Sequence, residues 1–360
     1  AGIKAKLTAN NVKIVNEKAK ILSKTDDVFE VKAGDVTYQG KQLLIATGSV
    51  PVIPPISGVQ EGLDTGYILT NSSILNLAEV PTSLVIIGGG VIGLEMASYY
   101  NSAGSKVTVI EMLEHIGGFI DREIGDFLLK AYQKKGIDFK LNSRVTQVGS
   151  SAVTYETDDE TYTVQADKVL LSIGRRPATL ELGLDSIGVE LEKDRIKTDN
   201  YGKTNISGVY AAGDANGISM LAHTAYREAE ACINTILGNN DTINYSAIPS
   251  VIYTNPEVAA VGETEESAQK KGLDYSVKKL SMRYNGRFMA ENEGGDGICK
   301  VLYDNQSQKL LGIHIISSYA SEIIHSAAMM IEYQMKIKDI EKFVFPHPTV
   351  SEIIRETILS

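Results

Sequence analysis

The feature that most constrains this chain is a glycine pattern, GxGxxG, at residues 88–93. A run of Leu, Val and Ile precedes the pattern, and a helix-forming stretch follows it. In a strand-to-helix turn, the first glycine permits a tight turn, the second lets a ligand approach the backbone, and the third lets helix and sheet pack closely. Free N–H groups at the start of such a helix favour a bound anion. The pattern therefore predicts a βαβ unit that holds the phosphates of a dinucleotide.

An acidic residue stands where a dinucleotide site needs one. Glu111 ends the next predicted strand, 23 positions after Gly88, where a carboxylate accepts hydrogen bonds from an adenosine ribose. The same carboxylate would repel the 2'-phosphate of NADP, and neither Met112 nor Leu113 supplies a compensating cation. The alternative is that the glycines form only a structural turn and that Glu111 is a solvated strand end. We predict an NAD site formed by Gly88, Gly89, Gly90, Val91, Ile92, Gly93 and Glu111.

The order of predicted elements around this site indicates an α/β fold. A buried strand at 84–87, a helix at 91–103, a strand at 106–110 and a helix at 121–135 follow one another. Such alternation predicts a parallel sheet with helices on its faces, in a Rossmann-like domain. Further strands, two of them joined by a polar turn at Asp158 and Asp159, are predicted at 137–148, 152–155, 162–165 and 168–173.

The regions on either side of this domain show other patterns. Before it, the proline-rich stretch 50–62 predicts a connector, and Val- and Ile-rich segments predict strands at 11–21, 28–31 and 36–45. After it, a strand at 208–212 leads into a helix at 221–237. From residue 243 the pattern predicts a separate α+β domain, with strands at 251–261, 297–303 and 310–316 and helices at 264–271, 320–334 and 350–359.

Charge and cysteine usage argue against several classes of protein. A net charge of −10 and a pI near 5.2 disfavour a nucleic-acid or anionic-membrane partner, since those need clustered Lys and Arg. No apolar stretch reaches the roughly 20 residues of a membrane span. Cys232 and Cys299 stand 67 positions apart without a metal-ligand or CxxC-like neighbour, so neither a disulfide scaffold nor a metal site is predicted. The opening has no signal-peptide layout and no initiator Met, from which we expect a cytoplasmic chain with a processed or truncated start.

The ending HPTVSE, at residues 347–352, brings together two groups that can share a proton. Pro348 holds His347 outside helical geometry. Thr349 and Glu352 have the spacing of a capping box, which alone would explain the glutamate. In the functional interpretation, Glu352 lies against His347 and increases its basicity, so that the imidazole removes a proton from a thiol or hydroxyl. For Glu95, in the first turns of the predicted helix, the helix dipole alone favours a structural interpretation.

Several separated motifs occur in one order, and together they resemble the dihydrolipoamide dehydrogenases of the class I pyridine nucleotide-disulfide oxidoreductase family. The resemblance extends over nearly the whole chain and includes ATGS at 46–49, GGGVIGLE at 88–95, SIGRRP at 172–177, TNPEV at 254–258 and HPTVSE at 347–352. It implies a Rossmann-like NAD domain, a partial discontinuous FAD domain and an α+β dimerisation domain. We expect parts of the FAD domain at 1–62 and 191–242, the NAD domain at 63–190 and the dimerisation domain at 243–360.

The resemblance also implies site residues. FAD would be contacted by Ala19, Thr47, Gly48, Ser49, Asp214, Met220, Leu221, Ala222 and His223. Val145 and Gly174 would line the nucleotide path, and Glu95 would stand near the nicotinamide and flavin, which reverses the structural interpretation of that residue. His347 would be the general base for dihydrolipoamide, oriented by Glu352 and reaching the flavin of the other subunit of a homodimer.

The implied reaction is the oxidation of protein-bound dihydrolipoamide, with reduction of NAD⁺ through FAD and a redox disulfide that a thiolate attacks. The implied partner is the lipoyl domain of a 2-oxo acid dehydrogenase or glycine cleavage complex. The N-terminal GxGxxG for FAD and the CxxxxC disulfide of this family are absent, so we expect a truncated product that binds NAD and dimerises without full turnover. Glutathione reductase, mercuric reductase, NADH oxidase and a non-catalytic binding and dimerisation module are the alternatives, and Glu111 argues against the NADP-using reductases.

Overall fold

The computed structural model of the protein describes residues 2–360, so that residue 1, which falls in the predicted segment 1–62, lies outside the described residues. The helices are α1 (Gly2–Ala9), α2 (Val59–Asp64), α3 (Asn71–Ile74), α4 (Val91–Ser102), α5 (Arg122–Lys134), α6 (Ala222–Ile236), α7 (Glu265–Lys270), α8 (Gly286–Glu291), α9 (Ala320–Glu332), α10 (Ile337–Ile340) and α11 (Glu352–Leu359). The strands are β1 (Ala19–Thr25), β2 (Val28–Ala33), β3 (Val36–Gly40), β4 (Leu43–Ile45), β5 (Ser49–Pro51), β6 (Ile68–Leu69), β7 (Ser83–Ile87), β8 (Lys106–Ile110), β9 (Asp138–Lys140), β10 (Arg144–Val148), β11 (Ala152–Thr157), β12 (Glu160–Gln165), β13 (Lys168–Leu171), β14 (Arg175–Pro177), β15 (Leu191–Glu192), β16 (Arg195–Ile196), β17 (Val209–Ala211), β18 (Ser250–Ile252), β19 (Glu257–Gly262), β20 (Tyr275–Ser281), β21 (Ile298–Asp304) and β22 (Leu310–Ser317). Within the described residues, none of the helices has the length and apolar character needed to cross a membrane.

The predicted dinucleotide-binding region is built on a five-stranded sheet with the strand order β6-β13-β7-β8-β9. Every pairing in this sheet is parallel. Leu84, Ile86 and Val107 of the strands and Leu94 and Leu128 of α4 and α5 are fully buried in one apolar cluster. Burying a side chain of this size contributes about 1.5–3 kcal/mol. The predicted α/β fold with a parallel sheet is confirmed.

A three-stranded antiparallel sheet, β10-β11-β12, lies between β9 and β13 in the chain. Asp158 and Asp159 adopt positive φ angles of 51° and 63° in the tight turn between β11 and β12, which confirms the predicted polar turn. The single strand predicted at 137–148 is wrong, because Asn142, with a φ of 49°, interrupts the extended backbone. As a result, β9 pairs in the parallel sheet and β10 in the antiparallel one.

The C-terminal part of the chain is built on a second five-stranded sheet, β18-β19-β22-β21-β20, whose pairings are all antiparallel. Ile324 of α9 and Ile354 of α11 lie in one apolar cluster with Val301 of the sheet, which confirms the predicted α+β arrangement. The strand predicted at 251–261 is divided into β18 and β19 by a turn that contains Pro256, a residue with no N–H to donate. Residues Pro51–Gly174 and Asn244–Ser360 form one compact unit.

The other compact unit combines the described residues up to Val50 with Arg175–Ile243. Its β1-β2-β3 sheet is an antiparallel meander, and β4 pairs in parallel with β17. Two pieces of chain that are distant in sequence therefore form one unit, which resumes at Arg175, before the predicted boundary at 191. The division of the chain into three domains stays a prediction.

The predicted strand at 11–21 is wrong over most of its length. Residues 2–9 form α1, which buries no side chain, and residues 12–18 form neither helix nor strand before β1 begins at Ala19. Val12 and Val15 are exposed, so burial against a sheet does not add to their β propensity.

Candidate functional site

The glycine loop lies between β7 and α4, as the pattern predicts. Gly88 has a φ of +105°, and a Cβ placed on it would lie 2.3 Å from the carbonyl oxygen of Ser172. A Cβ on Gly93 would lie 2.2 Å from the carbonyl oxygen of Gly88, so both positions require glycine. Gly90 is the N-cap of α4 without a side-chain cap, and nothing lies within 4 Å of its Cβ position. The space at the helix N-terminus is therefore open to an anion.

Glu111 is held at this loop by backbone hydrogen bonds. Its Oε2 accepts a bond from the Gly89 N–H (2.6 Å) and its Oε1 accepts one from the Leu113 N–H (2.8 Å). The Gly117 N–H donates to the Gly89 carbonyl oxygen over 2.8 Å, which joins the segment after β8 to the glycine loop. A carboxylate at a strand end beside an open helix N-terminus fits the ribose and phosphates of NAD. The assignment of these residues to NAD stays a prediction.

The remaining predicted NAD residues differ in whether their side chain or only their backbone is accessible. Val91 is 40% exposed at the first position of α4, whereas Ile92 is partly buried. Val145 is only 6% exposed and lies in an apolar cluster with Val153, which leaves its backbone rather than its side chain for a nucleotide. Gly174 has a φ of +117° and open space at its Cβ position, so its backbone is accessible.

Glu95 has a backbone partner in the C-terminal part of the chain. It is the fifth residue of α4 and lies beyond the first turn, so the dipole explanation for this residue does not hold. Its Oε1 accepts a 2.9 Å hydrogen bond from the N–H of Tyr253, which follows β18. Burial raises the pKa of Glu95 above its usual range, and the bond from Tyr253 partly offsets this rise. Carboxylates with raised pKa values are enriched at functional sites, and the position of Glu95 near the nicotinamide stays a prediction.

His347 and Glu352 lie together, as the sequence predicts. Nδ1 of His347 lies 3.0 Å from Oε1 and 3.2 Å from Oε2 of Glu352. An ionised carboxylate only accepts hydrogen bonds, so Nδ1 donates, and the neutral ring keeps its lone pair on Nε2. The side chain of His347 is 82% exposed and that of Glu352 is 18% exposed. The imidazole is therefore accessible to a reactant while its carboxylate partner is sheltered.

Backbone contacts hold the Glu352 carboxylate in place. Its Oε2 accepts a 2.8 Å bond from the Thr349 N–H, and this bond is the main cause of the lowered pKa of Glu352, to which His347 adds. The capping-box prediction is only half right, because the Thr349 hydroxyl donates to the Pro346 carbonyl oxygen (2.7 Å) instead of capping the helix. α11 begins at Glu352, with Ser351 as its N-cap.

Residues of the predicted FAD site from two separate motifs meet in the unit that contains Arg175–Ile243. Asp214 lies in a short 3-10 helix, Gly213–Ala215, after β17, and one of its carboxylate oxygens is hydrogen-bonded to the Ser49 hydroxyl. Arg175 donates from Nε to the Ser49 hydroxyl and from Nη2 to the Ser49 carbonyl oxygen, each over 2.7 Å. Arg175 is not among the predicted site residues, although it lies in the SIGRRP motif at 172–177.

Glu228 is a second residue of this site that the sequence reasoning missed. Its buried carboxylate accepts bonds from the Gly213 N–H (2.5 Å) and from Nδ2 of Asn216 (2.9 Å). These bonds hold the turn that carries Asp214. A carboxylate is rarely buried without such partners. An acidic residue on the buried stripe of a predicted helix, four positions after the buried Thr224, is the pattern that could have indicated it.

The other predicted FAD residues lie near strand ends and at a helix start. Ala19 opens β1, whereas Thr47 and Gly48 follow β4. Met220, Leu221, Ala222 and His223 lie at the N-terminus of α6, whose N-cap residue, Leu221, makes no side-chain cap hydrogen bond. A carboxylate, a hydroxyl and backbone N–H groups suit the ribityl hydroxyls and anionic groups of a flavin cofactor. The assignment of these residues to FAD stays a prediction.

The described residues also contain two cysteines, neither of them a predicted site residue, and a cavity. Both thiols are free and buried, and burial raises the pKa of Cys232 to about 11 and that of Cys299 to about 12, so both stay protonated at neutral pH. Among residues 2–360, no group of three or more His, Cys, Asp or Glu side chains could hold a metal ion. A cavity of about 430 Å³ lined by Phe127, Pro256 and Phe288 contains none of the predicted site residues.

Two protein-family models match this chain, and together they cover most of its length. A family model described as pyridine nucleotide-disulphide oxidoreductase matches residues 1–229, and the model of the dimerisation domain of these proteins matches residues 248–358. The mitochondrial dihydrolipoyl dehydrogenase of Pisum sativum is 37% identical, over 100% of this chain and 72% of its own length. Dihydrolipoyl dehydrogenase 3 of Pseudomonas putida is 38% identical over 95% and 72%, and a leghemoglobin reductase of Glycine max is 36% identical over 100% and 69%.

Solved structures with the same architecture include LpdA from Mycobacterium tuberculosis, with a TM-score of 0.89 and 25% identity over 99% of this chain and 79% of that one. The HOCl-induced flavoprotein disulfide reductase RclA from Escherichia coli has a TM-score of 0.86 and 25% identity over 99% and 82%. The curated relatives favour dihydrolipoyl dehydrogenase over a glutathione or mercuric reductase.

Proposed function

The chain belongs to the pyridine nucleotide-disulphide oxidoreductase family, and from that membership we propose that it acts in an NAD-dependent dihydrolipoyl dehydrogenase. In the proposed reaction the dithiol of dihydrolipoamide becomes the disulfide of lipoamide. The dithiol loses two electrons and two protons. NAD⁺ accepts the two electrons and one of the protons as a hydride, and the other proton is released. The observation that carries the proposal is the His347–Glu352 pair, at 3.0 Å, in a chain whose relatives are dihydrolipoyl dehydrogenases.

His347 is the base in this proposal. A thiol with a pKa of about 8.5 is mostly protonated at neutral pH, and only its thiolate is a good nucleophile. Because Nδ1 donates to Glu352, Nε2 of His347 is the atom that takes the thiol proton. The positive ring formed in this step is stabilised by the carboxylate of Glu352, 3.0 Å from Nδ1.

The proposed reaction requires one site for FAD and one for NAD. When bound, FAD and NAD supply the electron-pair acceptors that protein side chains lack. The carboxylate of Glu111 accepts bonds from an unphosphorylated ribose and repels the 2'-phosphate of NADP. NAD would be held by Gly88, Gly89, Gly90, Val91, Ile92, Gly93, Glu111, Val145 and Gly174, with Glu95 near the nicotinamide. FAD would be held by Ala19, Thr47, Gly48, Ser49, Asp214, Met220, Leu221, Ala222 and His223.

The proposed working form is a homodimer, because residues 248–358 match a dimerisation domain. The proposed partner that carries the substrate is the lipoyl domain of a 2-oxo acid dehydrogenase or glycine cleavage complex. A cytoplasmic location is proposed from the sequence alone, and the curated relatives include a mitochondrial plant enzyme and one from Pseudomonas putida.

A substrate-pair assay on the intact protein with its cofactors tests this function. We expect dihydrolipoamide to reduce NAD⁺ at least about 100-fold faster than NADP⁺, because a like charge at Glu111 costs several kcal/mol. Glutathione disulfide with NADPH should give no comparable turnover. Glu111→Gln should narrow the preference for NAD⁺, whereas Glu114→Gln, at an exposed neighbour that pairs with Arg122, should not. A preference for NADPH and glutathione disulfide would exclude the proposal.

A further inference from the structure

The dinucleotide-binding region and the dimerisation domain contact each other at a buried lysine. Lys300 lies on β21, within the segment that matches the dimerisation domain, and is 1% exposed. Its Nζ lies 2.9 Å from Oδ1 and 2.8 Å from Oδ2 of Asp121, which precedes α5 and is 0% exposed. The carboxylates of Glu123, at 3.3 Å, and of Glu265 also contact this ammonium group. One buried cation is therefore surrounded by acidic groups from two regions of the chain.

The contact is a charged pair. Burial alone would lower the pKa of Lys300, but the hydrogen bonds that its ammonium group donates to Asp121 and Glu265 raise it above the usual value. Burial alone would raise the pKa of Asp121, and the bond from Lys300, with the other nearby charges, lowers it. Removal of Lys300 leaves Asp121 as a buried carboxylate without its cation, whereas Lys300 without Asp121 still contacts the carboxylates of Glu123 and Glu265.

Asp121 connects this pair to the dinucleotide loop. It is the N-cap of α5, and its Oδ1 accepts bonds from the N–H groups of Glu123 (3.1 Å) and Ile124 (3.4 Å). Asp121 also ends the segment 111–121, which begins at Glu111. That segment contacts Gly89 twice, through the Glu111 carboxylate (2.6 Å) and through the Gly117 N–H (2.8 Å). The position of Asp121 therefore affects where the segment lies against the glycine loop.

We propose that Lys300 is a positioning residue for the dinucleotide site, which holds Asp121 and, through it, the segment 111–121 against the glycine loop. The dimerisation domain then contributes to nucleotide affinity without touching the nucleotide. The inference rests on the proposed NAD site and extends it by a residue from a different domain. The competing interpretation is that the pair only stabilises the contact between the two regions.

Two control variants separate these interpretations. Lys279, on β20, donates to the same Glu123 carboxylate over 2.9 and 3.2 Å, but its side chain is 47% exposed and its ion pair does not include Asp121. Val301 follows Lys300 on β21 and is fully buried in the apolar cluster of the dimerisation domain. Lys279→Met therefore removes a surface charge, and Val301→Ala removes stability, without disturbing the Lys300–Asp121 pair.

The experiment measures the Kd for NAD⁺ by titration, Tm by calorimetry and hydrogen exchange of residues 111–121 in the intact protein. We expect Lys300→Met and Asp121→Asn each to raise the Kd about three- to tenfold and to speed exchange in this segment. Lys300→Arg, which keeps the charge, should restore most of the affinity. Lys279→Met and Val301→Ala should leave the Kd within about twofold, even though Val301→Ala lowers Tm.

An unchanged Kd in Lys300→Met, or an equal rise in Val301→Ala at a matched loss of Tm, would overturn the proposal. Asp121→Asn keeps an oxygen for the helix cap, so it tests the same link if Lys300→Met does not fold. If the proposed function is wrong, the result is different: the unsubstituted protein binds NADP⁺ in preference to NAD⁺. In that case the same variants, titrated with NADP⁺, still report whether Lys300 positions the loop.

Discussion

At the scale of single residues, the dinucleotide loop depends on positions where a side chain has no room. The glycine pattern could be predicted from the sequence because a positive φ at Gly88 and the close approach at Gly93 exclude other residues locally. Glu228 could have been indicated only by its place on the buried stripe of a helix, and Arg175 could not be predicted from any local pattern. Arg175 bonds to Ser49 across 126 positions, and no local pattern reports such a contact.

Gly88→Ala should lower the free energy of unfolding more than Gly104→Ala, a substitution at a glycine with a similar φ. Its Cβ would lie 2.3 Å from a backbone oxygen, whereas Gly104, at a φ of +102°, has nothing within 4 Å of its Cβ position. Gly104→Ala should therefore show only the backbone strain, about 1–3 kcal/mol. Gly88→Ala should lose more stability and NAD⁺ binding as well. Urea unfolding and NAD⁺ titration check this, and equal losses in the two variants would contradict the clash.

Glu352→Gln should slow turnover and change how the stability of the protein depends on pH in the acid range. A neutral amide cannot stabilise the protonated ring of His347, so we expect a fall in kcat of about 10- to 100-fold at neutral pH. The pKa of Glu352 is lowered from 4.5, mainly by the Thr349 N–H, so its contribution to stability is present above pH 4.5 and is lost as the pH falls through the lowered value. Glu352→Gln should therefore lack this part of the acid-induced loss of unfolding free energy. Stopped-flow turnover and pH-dependent urea unfolding measure both effects, and unchanged kcat would contradict the assigned role.

At the scale of helices and strands, long periodic segments could be predicted and interrupted ones could not. α4, α5 and α9 lie where their apolar periodicity predicts them. The strands predicted at 137–148 and 251–261 are each divided, by Asn142 in a left-handed conformation and by a turn that contains Pro256. Single residues with special backbone geometry decide these breaks, and apolar periodicity does not report them.

Asn285 links two helices around the predicted base, so Asn285→Ala should affect both. Its Oδ1 accepts a 2.9 Å bond from the Phe288 N–H at the start of α8, and its Nδ2 donates over 3.0 Å to the Thr349 carbonyl oxygen before α11. The residue is buried, so its loss should cost about 1–3 kcal/mol of unfolding free energy and lower kcat.

Asn244→Ala is the matched control, because Asn244 caps a short 3-10 helix at an exposed position. This change should cost about 0.5–1 kcal/mol and leave kcat unaltered. Urea unfolding together with steady-state kinetics distinguishes the two variants. Equal changes in unfolding free energy and kcat in the two variants would show that the hydrogen bond from Asn285 to Thr349 does not affect turnover.

At the scale of the whole molecule, the α/β class, the parallel sheet and the family could be predicted, whereas the contacts that join distant segments could not. Glu95 bonds to Tyr253 across 158 positions, and Lys300 bonds to Asp121 across 179. Both contacts lie within the compact unit that contains the parallel sheet and the C-terminal sheet. Buried polar partners of this kind depend on three-dimensional packing, which residue spacing does not encode.

The most direct test of the proposed function is the rate at which dihydrolipoamide reduces NAD⁺ in the intact protein and in two histidine variants. His347→Gln should lower this rate about 10²- to 10⁴-fold, because it removes the base beside Glu352. His325→Gln, at an exposed position of α9, should retain the rate of the unsubstituted protein. Equal rates in His347→Gln and His325→Gln would contradict the function proposed for this chain.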